Sequence, residues 1–413
     1  MRMPNIKQIN KLTPSILYCP IIEHLSSFEG DLFDEPINCP FCNSSNCKKH
    51  KIEKKLFCKL IGSNGFKDVY IFVQVFYCKD CHKTFLAKSP FYRGILYCKP
   101  IVDLCLYFTA KNPYHRVEKI LLELGIQIDR DSIRNYAIKF KEKINEYASI
   151  KLFEQDAGIN FLKVLFEVNN VKELRRKYPH KKYDAVADET YPAIRSEKKK
   201  FKEINQQRKL DKKEQSKYPR GFTLATSYLA SLKSYSSLVL NNVPFCQVFS
   251  KALLKPIRGS DFLTTDGHGA YNPANKITMH LRCLLHKSKN LSKKDPTLRK
   301  MKKNKKSLKE IKDYLSKKYE NLEEETVKKL RVKLPNYFEK NKFVGALTTN
   351  SIEGGNWRIK NELRTCYFCT DSIMARTILI CLVDSIFTFR KGKPTESFAH
   401  KHTNFSFEKI MSM

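Results

Sequence analysis

The sequence lacks a long apolar run, since no uninterrupted stretch approaches the ~18 residues that a membrane-spanning helix needs. Its first residues, MRMPNIKQINK, also lack the apolar core of a secretory signal peptide. These absences argue against a membrane protein and against secretion. The 14 cysteines are therefore expected to be metal ligands and buried thiols in a reducing compartment. We expect a cytoplasmic protein, or a nuclear one if the source is a eukaryote.

Acidic residues are scarce relative to basic ones. The chain has 42 Asp and Glu against 77 Lys and Arg, which gives a formal net charge of +35. This excess is far beyond what solubility needs and predicts a polyanionic partner. A membrane surface would also attract such a chain, but without a membrane segment the favoured partner is nucleic acid. A length of 413 residues is sufficient for two to four domains.

Two CxxC pairs near the N-terminus predict a zinc ribbon over residues 36–90. Residues 39–42 read CPFC and residues 78–81 read CKDC, and the segment between them alternates apolar and polar residues as a strand does. Tetrahedral zinc needs four such ligands, which Cys39, Cys42, Cys78 and Cys81 supply. A shorter site is an alternative, in which Cys39 and Cys42 bind zinc together with Cys47 and His50.

Residues 95–147 predict three short helices. Their spacing of apolar residues is near 3.6, and Gly125 ends the second helix. The residues expected to face inward are Ile101, Leu104, Cys105, Phe108, Val117, Ile120, Leu121, Leu124, Ile133, Tyr136, Ala137 and Phe140. Three helices with a Gly-containing turn before the third resemble a helix-turn-helix unit.

The third of these helices is the expected DNA-reading element. It would carry Arg134, Asn135, Lys139 and Lys141 outward, and these side chains suit phosphates and base edges. The alternative is a solvated helical bundle, because lysine and arginine are common on any exposed helix.

Three acidic residues in separate segments are the candidate active site. Asp188 in DAVADETY and Asp266 in FLTTDGHG each close a strand-like run, and Glu353 in TTNSIEGGNWRIKNELR begins a segment with helical spacing. Such carboxylates can converge on two Mg²⁺ or Mn²⁺ ions about 4 Å apart, as in phosphoryl transfer. Taken singly, each acid is equally well explained as an ordinary cap or turn residue. Asp184 and Glu189 are rivals of Asp188 for the first position.

From residue 181 onward the order of strands and helices, with the acids at neighbouring strand ends, resembles the RNase H-like fold. The quoted segments around Asp188 and Asp266, the CxxH of HLRCLLHKSKN and the TTNxxE segment around Glu353 resemble DDE transposases of insertion sequences. The closest likeness is to the Mutator-like group and its bacterial relatives. It covers roughly residues 181–390.

The resemblance implies an α/β chain with an RNase H-like catalytic core interrupted by a helical insertion and preceded by the zinc ribbon and the helix-turn-helix segment. Asp188, Asp266 and Glu353 would hold magnesium. The implied division is an N-terminal arm at 1–35, a zinc ribbon at 36–90, a helix-turn-helix segment at 95–147, the first part of the core at 181–286, a basic helical insertion at 287–344, the last part of the core at 345–390 and a basic tail at 391–413.

The CxxH of this segment has two possible roles. Cys283 and His286 could bind zinc with the CxxC of Cys366 and Cys369. Alternatively, they pack or form hydrogen bonds near the active site.

Two residues after Glu353 are candidate DNA contacts. Trp357, the only tryptophan, either packs in the core or stacks on an unpaired base. Lys360 follows Glu353 by two helical turns, and either reaches a DNA phosphate or forms a surface ion pair.

Together these features predict a DNA transposase that binds double-stranded element ends and target DNA, with Mg²⁺ or Mn²⁺ and Zn²⁺ as cofactors. We expect a homo-oligomer on DNA and no membrane partner. The alternatives are a transposase-derived regulator that binds DNA without catalysis and a metal-dependent nuclease of the RNase H type.

Overall fold

The described residues of this computed structural model are 15–62, 65–152, 155–190, 223–241, 246–276, 278–288, 295–304, 308–340, 342–363, 370–390 and 393–413. The chain divides into two units. The first consists of Met1–Lys143 together with Ser406–Met413, and the second of Ile144–Phe405.

A long antiparallel hairpin dominates the first unit. Its two strands pair from Cys47 opposite Cys78 to Gly62 opposite Gly65. The alternation predicted for the second strand is confirmed, because Val69, Ile71, Val73 and Val75 are all buried. The strands of this unit are β1 (Leu32–Phe33), β2 (Cys47–Gly62), β3 (Gly65–Cys78) and β4 (Thr84–Leu86).

Helices make up the remainder of the first unit. They are α1 (Ser15–Ser27), α2 (Lys99–Thr109), α3 (Tyr114–Glu123), α4 (Arg130–Ala148, which continues into the second unit) and the C-terminal segment Phe407–Met411. Gly125 follows α3 with a φ of +83°, a left-handed conformation that glycine adopts without strain and that ends a helix. The three helices predicted over residues 95–147 are therefore present.

The predicted inward faces of these helices are only partly right. Ile133, Ala137 and Phe140 of α4 are buried as expected, whereas Leu104 and Phe108 of α2 are half-buried. In α2 the buried stripe runs instead through Ile101, Val102, Cys105 and Leu106. The two sets differ by a small rotation about the helix axis, which apolar spacing alone does not define where most residues of a helix are apolar.

The prediction that Lys141 faces outward is wrong, because this residue is only 7% exposed. It follows the buried Ala137 by four residues and therefore lies on the same face of α4.

The second unit contains a mixed sheet with the order β11-β10-β7-β8-β9-β6-β5. Its strands are β5 (Ser149–Leu152), β6 (Gln155–Asn160), β7 (Asp184–Thr190), β8 (Thr223–Leu229), β9 (Ser234–Asn241), β10 (Phe262–Thr265) and β11 (Met279–Arg282). β10 is parallel to both β7 and β11, and the other neighbours are antiparallel. The strand-like runs predicted at Asp188 and Asp266 are thus β7 and β10, and the α/β class is confirmed.

Helices and short hairpins complete the second unit. The helices are α5 (Phe161–Phe166), α6 (Val171–Lys177), α7 (Gln247–Leu254), α8 (Pro296–Lys303), α9 (Leu308–Lys333), α10 (Asn350–Leu363), α11 (Thr370–Ile386) and α12 (Phe398–His402). The hairpins are β12 (Phe338–Glu339) with β13 (Lys342–Phe343) and β14 (Phe387–Arg390) with β15 (Lys393–Glu396). The lysine-rich stretch predicted to be a helical insertion contains the 26-residue α9. A face of α10 is buried through Ile352, Ile359 and Leu363.

Candidate active site and cysteine cluster

Asp188 and Asp266 lie at the same edge of the sheet of the second unit. In the parallel pairing of β10 with β7, Phe262 lies opposite Asp184 and Thr264 lies opposite Val186. Each paired residue of β10 thus lies opposite the β7 residue that is 78 positions earlier in the sequence. Continued by two residues beyond Thr264, this register places Asp266 opposite Asp188. Neighbouring strands are about 4.8 Å apart, so the backbones that carry the two acids are adjacent.

Helix α10 carries Glu353, and Asn356 of the same helix forms hydrogen bonds to β7 and β8. Asn356 is 2% exposed, and its Nδ2 donates a hydrogen bond to Asp188 Oδ2 at 3.0 Å. Thr226 of β8 donates from Oγ1 to Asn356 Oδ1 at 2.7 Å. Thr349, just before the helix, donates from Oγ1 to Glu353 Oε1. These hydrogen bonds fix the first turns of α10 against β7 and β8.

The three predicted acids influence one another electrostatically. The pKa of Asp188 is raised to about 6, mainly by burial and to a smaller extent by the charges of Glu353 and Asp266, while the Asn356 hydrogen bond acts in the opposite direction. The three carboxylates are therefore near enough for their charges to interact. Their oxygens are not gathered as closely as the ligands of a single ion in the part of the chain that the structure describes.

The rivals of Asp188 have different surroundings. Asp184 is 1% exposed, and its carboxylate accepts backbone N–H groups from Ser231 and Ala346, both at 2.9 Å. Its oxygens are thus used by the fold, which argues against a role as a metal ligand.

Glu189 follows Asp188 directly and points to the opposite face of the sheet. Its side chain is 6% exposed, and burial raises its pKa to about 7, with the charge of Asp266 adding to the effect. Its Oε2 accepts no hydrogen bond from any residue that the structure describes, and His268 Nδ1 lies 4.0 Å from its Oε1. Glu189 is therefore a neighbour of Asp266, on the side of β7 away from α10.

Cys283 and His286 lie beside Glu353. The Cys283 Sγ accepts hydrogen bonds from the backbone N and the Oγ1 of Thr349, both at 3.4 Å. His286 Nδ1 is 4.0 Å from Glu353 Oε1. Cys283 thus takes part in hydrogen bonds close to Glu353, and Cys366 and Cys369 fall outside the described residues.

The four cysteines of the two CxxC pairs form one cluster in the first unit. Their sulfur atoms all lie within 4.8 Å of one another. The distance from Cys39 Sγ to Cys81 Sγ is 3.5 Å, and that from Cys42 Sγ to Cys78 Sγ is 3.6 Å. The backbone N–H of Cys81 is the main reason why the pKa of Cys78 is lowered to about 6, a value that favours the thiolate needed for metal binding.

The shorter alternative site is not formed. His50 is exposed within β2, and Cys47 Sγ donates to the carbonyl of Ser44 at 3.6 Å. Neither residue belongs to the cysteine cluster. The structure therefore gathers the ligand set of the longer ribbon.

The residues of α4 predicted to contact DNA differ in their exposure and in the contacts they already make within the chain. Arg134 lies 3.7 Å from Asp131 in an ion pair, and Lys139 Nζ donates to the carbonyl of Gly94. Asn135 is exposed.

The two candidates on α10 are accessible. Trp357 is 66% exposed, so the prediction that it packs in the core is wrong. Lys360 is half-exposed, and no acid among the described residues forms an ion pair with it. Both remain candidates for contact with a ligand.

Sequence reasoning missed Asn356 as a site residue. The signal was available, because Asn356 is the polar member of a stripe that runs Ile352, Asn356, Ile359 and Leu363 along α10. A polar residue in a buried stripe needs a hydrogen-bond partner, and here that partner is Asp188.

No protein-family model matches the chain, and no curated protein matches it. Among the described helices, none has the length and apolarity to cross a membrane. The functional interpretation therefore depends on the residues and on their geometry.

Proposed function

We propose that the protein is a DDE-type DNA transposase. It would bind the ends of its own element, hydrolyse a phosphodiester bond at each end and use the freed 3′-hydroxyl to attack target DNA. The observation that carries this proposal is that the charges of Asp266 and Glu353 act on Asp188, which lies in the strand next to β10 and accepts a hydrogen bond from Asn356 of α10. Three carboxylates from two parallel strands and a covering helix suit metal-dependent phosphoryl transfer.

The RNase H-like fold is part of the proposal. It is supported by the mixed strand directions and by the position of two acids at the ends of neighbouring strands. It is also supported by the long helix α9, which lies in the sequence between the second and the third acid.

Asp188, Asp266 and Glu353 would hold the Mg²⁺ or Mn²⁺ ions. Burial is the main cause of the raised pKa of Asp188, and the negative charges of Glu353 and Asp266 add to it; hard carboxylates fit these cations. When bound, they would activate the attacking oxygen and stabilise the leaving oxygen. The chain itself orients the carboxylates, since Asn356 holds Asp188 and Thr349 holds Glu353.

DNA as the partner is supported by charge and by the first unit. The net charge of +35 gives a strong attraction to phosphates. The cysteine cluster supports a zinc ribbon, and α2 to α4 support a helix-turn-helix segment that would recognise element ends. A homo-oligomer on DNA would bring two such ends together.

The test is strand cleavage and joining on duplex DNA that carries the inverted repeats flanking the coding region, in the presence of Mg²⁺. D188N, D266N and E353Q should each abolish both reactions while DNA binding is retained, because a lost ligand leaves the ions poorly held. E339Q is the matched control, since Glu339 is an exposed acid paired with Lys182. Cleavage by E353Q at the rate of the native protein would refute the three-acid site. Binding without cleavage by the native protein would indicate a regulator, and cleavage of RNA–DNA hybrids alone would indicate a nuclease.

A further inference from the structure

A second group of potential metal ligands includes the third acid itself. Cys283, His286 and Glu353 each offer one ligand atom, and these three atoms all lie within 4.8 Å of one another. The backbone N of Cys283 donates to the carbonyl of Thr265 at 2.7 Å, which fixes this cysteine directly after β11 and beside β10. Residues 284–288 are helical, so His286 follows within one turn. Glu353 arrives from the first turn of α10.

The geometry between His286 and Glu353 is not that of a hydrogen bond. Their nearest atoms, Nδ1 and Oε1, are 4.0 Å apart, whereas a hydrogen bond needs about 2.7–3.2 Å. Two ligands bound at about 2.0–2.3 Å to one tetrahedral ion are ~3.3–3.8 Å apart, as follows from ordinary zinc bond lengths. A small movement of either side chain would thus bring both onto one ion.

His286 Nδ1 is buried and has no hydrogen-bond partner among the residues that the structure describes. A buried ring nitrogen without a partner is costly, and a metal ion is one group that would satisfy it. Cys283 is 0% exposed, and both hydrogen bonds to its sulfur come from Thr349. These two contacts hold the sulfur in place beside Glu353, which also accepts from Thr349 Oγ1.

The identity of the three ligands selects the metal. A thiolate, an imidazole and a carboxylate suit Zn²⁺ or Co²⁺, whereas Mg²⁺ prefers oxygen ligands alone. This group therefore differs in chemistry from Asp188 and Asp266, although it shares Glu353 with them.

We propose that Cys283, His286 and Glu353 form a zinc site, and that zinc bound there competes with the Mg²⁺ site for Glu353. Zinc would then inhibit the cleavage reaction. The binding half of this inference stands on the geometry alone, and the inhibition half rests on the proposed function.

Zinc content of the full chain tests the binding half. The native protein, H286N, C283S and the control H268N would each be freed of metal, reloaded with Zn²⁺, desalted and measured by elemental analysis. H286N and C283S should each bind one zinc ion per chain fewer than the native protein, and H268N should bind the same number. Each variant is compared with the native protein, and all of them keep the four-cysteine cluster. Zinc bound by that cluster therefore does not affect the difference in zinc content. H286N tests the site even if C283S does not fold.

Cobalt substitution identifies the ligands. The Co²⁺ protein should lose part of its sulfur-to-metal absorption in C283S, and H286N should lose one equivalent of bound cobalt. Equal zinc content in the native protein and in H286N, together with unchanged cobalt spectra, would overturn the proposed site.

The inhibition half is measured by cleavage at fixed Mg²⁺ with increasing Zn²⁺. The zinc concentration that halves the activity of each protein relative to its own zinc-free rate should rise at least ~10-fold in H286N, because one of three ligands is lost. An unchanged value would refute competition at Glu353. If no variant cleaves DNA, the proposed function fails, while the zinc content still decides the site.

Discussion

At the scale of single residues, the candidate active site depends on a buried amide. Asn356 receives a hydrogen bond from Thr226 and donates one to Asp188. The first bond is buried and the second is partly buried, so removing either leaves a polar group that is poorly compensated by water. Asn356 therefore positions the first acid from the same helix that carries the third.

Replacing Asn356 tests this positioning role. N356A should lower the rate of Mg²⁺-dependent cleavage and reduce the free energy of unfolding by about 1–3 kcal/mol, because the Thr226 hydroxyl loses its acceptor and Asp188 loses a donor. The measurements are cleavage kinetics and chemical denaturation.

T226V is the matched variant, since it removes the hydrogen bond to Asn356 and leaves the one to Asp188. It should destabilise the protein with a smaller loss of cleavage. Equal losses of cleavage in both variants would show that Asn356 serves stability alone.

Lys360 supplies a second prediction at this scale. It lies on the face of α10 that carries Glu353, because seven residues make two turns. If it contacts a DNA phosphate, K360A should weaken end binding and reduce the slope of log affinity against log salt by roughly 0.9. The melting temperature should change little.

The control for Lys360 is K182A, which removes a lysine that is paired with Glu339 at 2.6 Å. This change should leave the salt slope as it is in the native protein. An unaltered slope in K360A with a lowered melting temperature would show that Lys360 supports the fold instead of DNA binding.

At the scale of elements, the hairpin of β2 and β3 assembles the cysteine cluster. The register that places Cys47 opposite Cys78 brings the segment before β2 beside the segment after β3. These two segments carry Cys39 and Cys42 on one side and Cys81 on the other. The cluster thus depends on a strand pairing that brings together Cys39 and Cys81, which are 42 positions apart, and a bound ion would stabilise that pairing.

C78S should remove about one zinc ion per chain and destabilise the first unit, because zinc binding supplies folding energy to a small ribbon. Elemental analysis and thermal denaturation with and without a chelator measure both effects. C246S is the control, since Cys246 is exposed and lies outside the cluster. An unchanged number of zinc ions per chain in C78S would instead favour the shorter ligand set with Cys47 and His50.

At the scale of the whole molecule, the buried carboxyl group of Asp188 makes the free energy of unfolding depend on pH. The pKa of Asp188 is raised from 3.8 to about 6, so the folded protein binds this proton more tightly than the unfolded chain. Below pH 3.8 the side chain is protonated in both the folded and the unfolded state, so it does not lower the free energy of unfolding. As the pH rises from 3.8 to about 6, the free energy of unfolding of the metal-free protein falls, because the unfolded chain releases this proton more readily.

The difference between D188N and the native protein isolates this effect. In the absence of metal, D188N should gain up to about 3 kcal/mol in unfolding free energy relative to the native protein between pH 4 and 7, since each pKa unit corresponds to about 1.4 kcal/mol. Denaturation at several pH values in the presence of a chelator measures it. A difference that does not change with pH would mean that Asp188 is not held in a crowded, desolvated position.

Several features followed from the sequence by itself. Local patterns indicated the strand that contains Asp188, the strand that precedes Asp266, the helix of Glu353, the hairpin and the paired CxxC motifs, because apolar spacing, glycine and cysteine spacing act over a few residues. The net charge followed from composition alone.

Only the tertiary structure decided which residues meet. The burial of Lys141, the exposure of Trp357, the hydrogen bond from Asn356 to Asp188 and the approach of His286 to Glu353 all depend on the rotation and register of packed elements. A rotation of a helix about its axis by one residue, which is about 100°, changes which of its residues are buried without changing its sequence pattern. The choice between the cysteine ligand sets likewise required the pairing of β2 with β3, because spacing along the chain does not specify which pairs come together in space.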